Sequence, residues 1–215
     1  LCGNRLSLNV GKTEFILFRP PKLKLDNCIT LKLNNTTIYE SRKIKYLGLL
    51  IDDRLTWKFH INELCKKLNR TVGLFFKIRH LCPKPVLRSL YFSIFNSHLT
   101  YGLPVWGNAD KIYLDKLELI QKKAVRAITL SDFKPILKDL QMLSLNDLFQ
   151  YHVSSLMWDL DHDMLPSALS LYFTKRANDH THLTRMAVSD KLSIKKSNTS
   201  RYGLKAFKIQ GAKIL

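Results

Sequence analysis

At Thr56 the spacing of apolar residues changes, and that change limits what the chain can fold into. Before it, apolar residues come in short runs and alternations. After it, Trp57, Ile61, Leu64, Leu68, Val72 and Phe75 recur at three- and four-residue intervals. A period of two suits a pleated strand, and a period near 3.6 suits one face of a helix. Neither pattern can serve as the other without exposing much of its apolar set. The sequence therefore reads as α+β, a small β-rich part followed by a mainly α-helical one.

In the β-rich part, Phe15–Phe18 reads as a short apolar strand stopped by Pro20-Pro21. In Cys28–Leu33, Ile29, Leu31 and Leu33 alternate with Thr30 and Lys32, as in a half-buried strand. Asn34-Asn35 suits a hairpin turn before Thr36–Tyr39. Tyr46–Ile51 reads as a strand buried on both faces.

In the helical part, Thr56 is the expected N-cap of the first helix. The outer side of that helix carries Lys58, Lys66, Lys67, Arg70 and Lys77. A second helix is expected after Pro83, with Pro85 in its first turn and Val86, Leu90, Ile94 and Leu99 inward, ending at Gly102 and Pro104. A third spans about Asp110–Leu130, with Leu114, Leu117, Ile120, Ala124 and Ile128 inward and Lys116, Lys122, Lys123 and Arg126 elsewhere on its surface. Phe133–Leu140 reads as a short helix. Ser144, with Asp147 three residues on, resembles a capping box that opens a helix running to Leu160. Beyond His162, residues 174–213 hold ten cations and two acids. That composition predicts a basic, loosely ordered tail with a short helix at Pro166–Leu171. The expected regions are thus 1–55, 56–162 and 163–215.

The charge balance points to a partner. Against 17 Asp and Glu stand 35 Lys and Arg, a formal net charge of +18. Such an excess favours a polyanion, because each neutralised phosphate releases counterions. Nucleic acid is the first candidate and an anionic membrane surface the second; a basic surface with no specific partner is the bland alternative. No apolar run reaches membrane-spanning length and no signal peptide is visible, so no membrane partner and an intracellular location, cytoplasm or nucleus, are expected rather than secretion. Cys2, Cys28, Cys65 and Cys82 form no CxxC and have no zinc spacing, so they read as reduced thiols. The seven His residues are scattered, and neither H-E-x-x-H nor H-x-D occurs, so no metal site is expected. The first residue is Leu, which reads as the start of a fragment of a longer product.

Two stretches carry candidate chemistry. In Leu8-Asn9-Val10-Gly11-Lys12-Thr13, Lys12 precedes an apolar run; Gly3 lies too far back for this to be a phosphate-binding G-x-x-x-x-G-K-T loop. In the second, Tyr46-Leu47-Gly48 opens a run that ends at Asp52-Asp53 and leads into Thr56-Trp57. Two adjacent carboxylates after a strand suggest a two-metal pair. Such a pair needs a third carboxylate, and Glu14, Asp26 and Glu40 sit in no matching pattern. A strand exit leading to a helix cap is the favoured reading of Asp52-Asp53.

Together these stretches resemble the end of the palm and the start of the thumb of reverse transcriptases from non-LTR, LINE-type, jockey-like retrotransposons. Tyr91-Phe92-Ser93-Ile94, Tyr101-Gly102, Trp106-Gly107, Gln121-Lys122-Lys123-Ala124, Arg126 and Leu143-Ser144-Leu145 extend the likeness from about Leu6 to Leu160, with a weaker echo in Arg201-Tyr202-Gly203. The resemblance implies that Lys12 is the motif D lysine, placed to supply a proton or positive charge near the leaving pyrophosphate. It implies that Tyr46, Leu47 and Gly48 are the primer grip. Lys58, Lys66, Lys67 and Arg70 would be phosphate contacts of the thumb helix, which position the duplex without reading its sequence. It also implies that the metal-binding aspartates lie upstream of this chain. The expected function is therefore a fragment of an RNA-directed DNA polymerase that contributes template–primer binding and is inactive alone. The parent would use magnesium and deoxynucleotides, and the missing palm and fingers of the same polyprotein would be a partner. A non-enzymatic basic nucleic-acid-binding remnant is the alternative. Lys45–Leu81 also loosely resembles a short segment of an alkylated-DNA-repair dioxygenase/methyltransferase homologue, but without that family's iron ligands.

Overall fold

A computed structural model describes residues 9–20, 29–33, 35–129, 140–173, 192 and 207–212. The chain is α+β and divides into two compact units, Leu1–Asn62 and Glu63–Leu215.

The first unit is built from two antiparallel hairpins. Strands β1 (Leu31–Leu33) and β2 (Thr36–Ile38) pair Leu31 with Ile38 and Leu33 with Thr36. The turn expected here is present, with Asn35 in the left-handed region at φ 61°, a conformation asparagine tolerates better than most residues. The half-buried face is not: β1 is only three residues long, and Ile29 and Leu31 are exposed. Strands β3 (Lys43–Tyr46) and β4 (Leu49–Asp52) form the second hairpin, with Tyr46 opposite Leu49 and Lys43 opposite Asp52. Tyr46–Ile51 is therefore a strand end, a turn and a strand start rather than one buried strand. Leu47 and Gly48 make the two-residue turn with φ 45° and 84°, the two positive values of a type I′ turn, which suits the twist of the flanking strands. Phe15–Phe18 is also not a regular strand. Phe15 alone forms a parallel bridge, to Glu40, because Ser41 donates its backbone N–H to the Phe15 carbonyl at 2.8 Å.

The β4 exit starts the first helix, α1 (Lys58–Ile78). Asp52 is buried, and its carboxylate accepts from the backbone N–H groups of Arg54, Thr56 and Trp57 and from the Thr56 hydroxyl, at 2.8–3.1 Å. Trp57, at φ 61°, supplies the first helical carbonyl, accepting from Ile61 N–H at 2.9 Å. Thr56 thus stands one residue before the cap, and its hydroxyl accepts from Lys58 N–H at 3.3 Å. All six residues of the expected apolar stripe, from Trp57 to Phe75, are buried. Gly73 lies inside α1 on the exposed side, where glycine costs about 1 kcal/mol relative to alanine.

In the second unit, α2 (Lys84–Leu90) follows Pro83 and carries Pro85 in its first turn. It continues through a π-helical turn, Tyr91–Asn96, into α3 (Ser97–Thr100). The buried stripe is Leu87, Tyr91, Phe95 and Leu99, whereas Val86 is exposed. The inward face is therefore not the expected Val86, Leu90, Ile94 and Leu99 set, apart from Leu99. A strict four-residue spacing drifts around an α-helix by about 40° per step. The wider π turn takes up that drift and keeps all four on one side. Gly102, at φ 63°, ends this segment and precedes α4 (Leu103–Trp106). Trp106 is fully buried, and its indole N–H donates to the Tyr101 carbonyl at 2.9 Å.

Helix α5 (Lys111–Thr129) matches the expected third helix. Helix α6 (Leu145–Asp161) begins at the expected Ser144, whose hydroxyl accepts from Asp147 N–H at 3.3 Å and donates to the Asp147 carboxylate at 2.6 Å. Helix α7 (Ser167–Ser170) follows Pro166. Phe173 and Leu192 pack with Val153 and Met157 of α6, and α8 (Phe207–Gly211) also contacts α6. Parts of the basic C-terminal region are therefore folded onto α6. The short helix expected over Phe133–Leu140 lies, except for Leu140, outside the described residues, as do most of residues 174–206.

The apolar core of this unit holds a polar side chain. Gln121 of α5 is fully buried. Its amide N–H₂ donates to the Tyr91 hydroxyl at 3.1 Å and to the Leu143 carbonyl at 2.8 Å, while its oxygen accepts from Leu145 N–H at 3.1 Å. Arg88 adds a second tie to the same connection, donating to the Leu140 carbonyl at 2.7 Å and lying over the Phe92 ring. Burial pushes the Tyr91 phenol up to about 12, with the Gln121 hydrogen bond opposing the shift.

Two outcomes follow. Replacing Tyr91 with Phe removes a buried hydrogen bond and should cost about 1 kcal/mol at neutral pH. The unfolded phenol ionises near pH 10, about two units below the folded one. Wild-type stability from this residue is therefore complete below about pH 10 and is lost as the pH rises toward 12, so the gap to Tyr91→Phe narrows over that window in chemical denaturation. At Gly107 an added Cβ would lie 2.5 Å from the Phe149 ring and 2.6 Å from the Leu103 carbonyl oxygen. Gly107→Ala should destabilise by about 1–3 kcal/mol, read as a lower denaturation midpoint with an unchanged slope.

Candidate nucleic-acid interface

In the first unit the candidate residues stand on three elements. Lys12 ends a 3-10 turn, Val10–Lys12, and is exposed. The turn is closed by Thr13, whose hydroxyl donates to the Asn9 carbonyl at 2.9 Å. Tyr46, Leu47 and Gly48 form the tip of the β3–β4 hairpin, where Tyr46 and Leu47 are 62% and 72% exposed. The positive φ of the I′ turn accounts for a glycine at position 48 without any external contact. The exposed Tyr46 and Leu47 side chains are what the fold itself does not use as core. Lys58 opens α1 and is exposed.

The Asp52-Asp53 pair is accounted for within this unit. Asp52 is committed to the turn that begins α1. Asp53 lies 3.8 Å from the Arg19 guanidinium, which also pairs with Glu40 at 2.6 Å. Arg19 further donates its backbone N–H to the Asp53 carbonyl at 3.1 Å. Two adjacent residues at a strand exit point to opposite sides, so each carboxylate has its own structural partner instead of a shared cation. Among the described residues no group of three His, Cys, Asp or Glu could hold a metal ion. As placed, Asp52 and Asp53 do not fit a magnesium site. The cap reading of the pair holds at Asp52, and Asp53 adds an ion pair that sequence did not reveal. The signal was Arg19, 34 positions away, which no local pattern connects to Asp53.

In the second unit the outer side of α1 carries Lys66, Lys67, Arg70 and Lys77, all exposed. At 100° per residue, Lys66, Arg70 and Lys77 fall within about 40° of one another around the axis, and Lys67 about 60° beyond Arg70. Lys66 pairs with Glu63 at 2.7 Å. That pairing holds the Glu63 carboxyl below the usual carboxylate range, with Arg70 and Lys67 adding weaker attraction. The ammonium of Lys66 is thus partly neutralised by its own helix. Helix α5 presents a further exposed basic set, Lys116, Lys123 and Arg126. Lys116 is close enough to Cys65 of α1 to oppose the rise that burial imposes on that thiol. Cys65 and Cys82 are free thiols. No helix among the described residues is long and apolar enough to cross a membrane.

No family model matches the chain, and no solved structure matches it. Sequence comparison with known proteins does find relatives. The chain is 29% identical over 133 residues to the RNA-directed DNA polymerase from mobile element jockey of Drosophila melanogaster, covering 58% of this chain and 14% of that protein. It is 27% identical over 113 residues to a probable RNA-directed DNA polymerase from transposon X-element of the same species, covering 47% and 12%. It is 25% identical over 132 residues to the probable enzyme from transposon BS, covering 54% and 14%. The chain thus spans about a seventh of the length of the relatives it matches. Over about half its own length, this chain resembles the RNA-directed DNA polymerases of jockey-like non-LTR retrotransposons.

Proposed function

We propose that this chain is the C-terminal palm and the thumb and connector of a retrotransposon reverse transcriptase, and that its work is to hold the template–primer. The observation that carries this reading is the similarity to polymerases of three mobile elements, across more than half of the chain in the first case. The exposed Lys66, Lys67, Arg70 and Lys77 on α1 supply the chemistry, since phosphate contacts from one helix face fix a duplex without reading its bases. The Tyr46–Gly48 hairpin tip is the primer grip, and Lys12 is the motif D lysine. The metal-binding aspartates belong to the part of the polyprotein that provides the rest of palm and fingers, which is a partner of this chain. Magnesium and deoxynucleotides are bound by that parent enzyme.

The chain is inactive alone in this reading, because Asp52 caps a helix and Asp53 pairs with Arg19. A primer-extension assay on the isolated chain should give no product; template-dependent synthesis with magnesium would overturn the proposal. Binding to a labelled RNA–DNA hybrid should weaken steeply with salt. Replacing Lys66, Lys67 and Arg70 together by Gln should reduce the slope of log K against log salt by about 2–3 in magnitude. An unchanged slope would remove α1 from the interface.

A further inference from the structure

We infer that Gly73 is the point at which the sugar–phosphate backbone of a bound duplex comes into contact with the backbone of α1. The inference rests on the proposed nucleic-acid-binding role of α1 and specifies where on that helix the duplex is nearest. Glycine weakens a helix interior, so its presence there calls for a packing or conformational reason. Among the described residues neither is found. Gly73 has ordinary helical φ, since the positive-φ glycines are Gly48 and Gly102. Among the described residues, a Cβ built on Gly73 would meet no atom within 4 Å. Gly107 shows what an internal reason looks like: there the added Cβ would clash with Phe149 and with the Leu103 carbonyl.

What surrounds Gly73 on the surface is selective. It lies within about 60° of Lys66, Arg70 and Lys77 around the helix axis, with Asn69 about 40° to the other side. These are three cations and an amide around a site with no side chain. Phe76, three residues on, is 45% exposed, and the Arg79 guanidinium sits 5.2 Å from its ring centroid. Charge complementarity therefore selects a polyanion as the occupant. The missing side chain lets that polyanion's backbone approach more closely than the flanking lysines alone would require. A duplex sugar–phosphate strand has the right shape for this, a narrow charged ridge whose phosphates reach Lys66, Arg70 and Lys77 while a ribose edge sits over Gly73.

The test uses the full chain, a labelled RNA–DNA hybrid, and three variants: Gly73→Ala, Gly73→Leu, and the Lys66, Lys67 and Arg70 replacements by Gln. Gly73→Ala and Gly73→Leu should raise the melting temperature, because both residues are better helix formers than glycine. Both should weaken hybrid binding, Leu by about tenfold or more and Ala by less, which for Leu corresponds to about 1.4 kcal/mol. Neither should change the salt slope, since no cation is lost. A merely structural glycine would not raise stability and lower affinity together. If both Gly73 variants bind as wild type while the Gln variant binds less tightly, the contact at Gly73 is wrong and the role of α1 stands. If the Gln variant also binds as wild type, both fall. A lower melting temperature for Gly73→Ala would show an internal role and overturn the contact as well.

Discussion

The helical unit depends on one buried amide. Gln121 joins α5 to two stretches far from it in sequence: the π turn through Tyr91, and the entry to α6 through the Leu143 carbonyl and the Leu145 N–H. Leu145 N–H is one of the helix-start donors that no intrahelical carbonyl can satisfy. Ser144 takes the exposed N–H of Asp147 and Gln121 takes the buried N–H of Leu145, so two helix-start donors of α6 are satisfied, one by its own cap and one from α5. An apolar residue at 121 would leave that N–H and the Leu143 carbonyl without these partners in a dry interior, where each orphan costs roughly 1–3 kcal/mol. The amide removes that penalty where the apolar layers of α2, α5 and α6 meet.

The first unit solves a related problem with charge. A strand must end, turn and become a helix within six residues, from Asp52 to Trp57. Leu55 and Trp57 both take positive φ, which β-carbon-bearing residues resist. The Asp52 carboxylate compensates by collecting three backbone N–H groups and a hydroxyl. Charge-assisted bonds of this kind are about twice as strong as neutral ones. Arg19 then ties the segment after the first turn to Glu40 and Asp53. A carboxylate pair that looks catalytic in one dimension is consumed in holding a strained corner.

The buried face of helix α1 was legible in the sequence, because its six apolar positions follow the period of one helix and all of them are buried; its cap was misplaced by one residue. The Ser144 cap and the Pro83 start were legible for the same local reason. The β-rich part was not. Short strands bury little, so Leu31 could alternate with polar neighbours and still be exposed, and the Leu47-Gly48 turn interrupts what looks like a continuous apolar run. Leucine at the first I′ position hides the turn, since asparagine or glycine would have announced it. An α period alone misplaces the inward face of α2 and α3, because a π turn intervenes. Gln121 lies on the apolar stripe of α5, between Leu117 and Ala124, and that placement was the signal for a buried polar hub. Lys12, Tyr46, Leu47 and Gly48 gain no further support from packing: the fold leaves Lys12 and the two hairpin side chains exposed, and explains Gly48 by its φ.

The outer side of α1 is informative because the fold makes so little use of it. Residues on the inner arc are constrained by Ile61, Leu68 and Phe75, which are completely buried. The outer arc carries no core residue, and for stability alone good helix formers with balanced charge would serve best there. The residues actually present depart from that in two ways at once. Cations outnumber the single Glu63, and a glycine sits among them. Excess like charge along one face and a helix-weakening residue both reduce the stability of an isolated helix. In the proposed reading each becomes favourable, since a polyanionic strand along that face would neutralise the cations and fill the space above Gly73. The two departures have different physical origins, one electrostatic and one steric, and the proposed occupant would answer both.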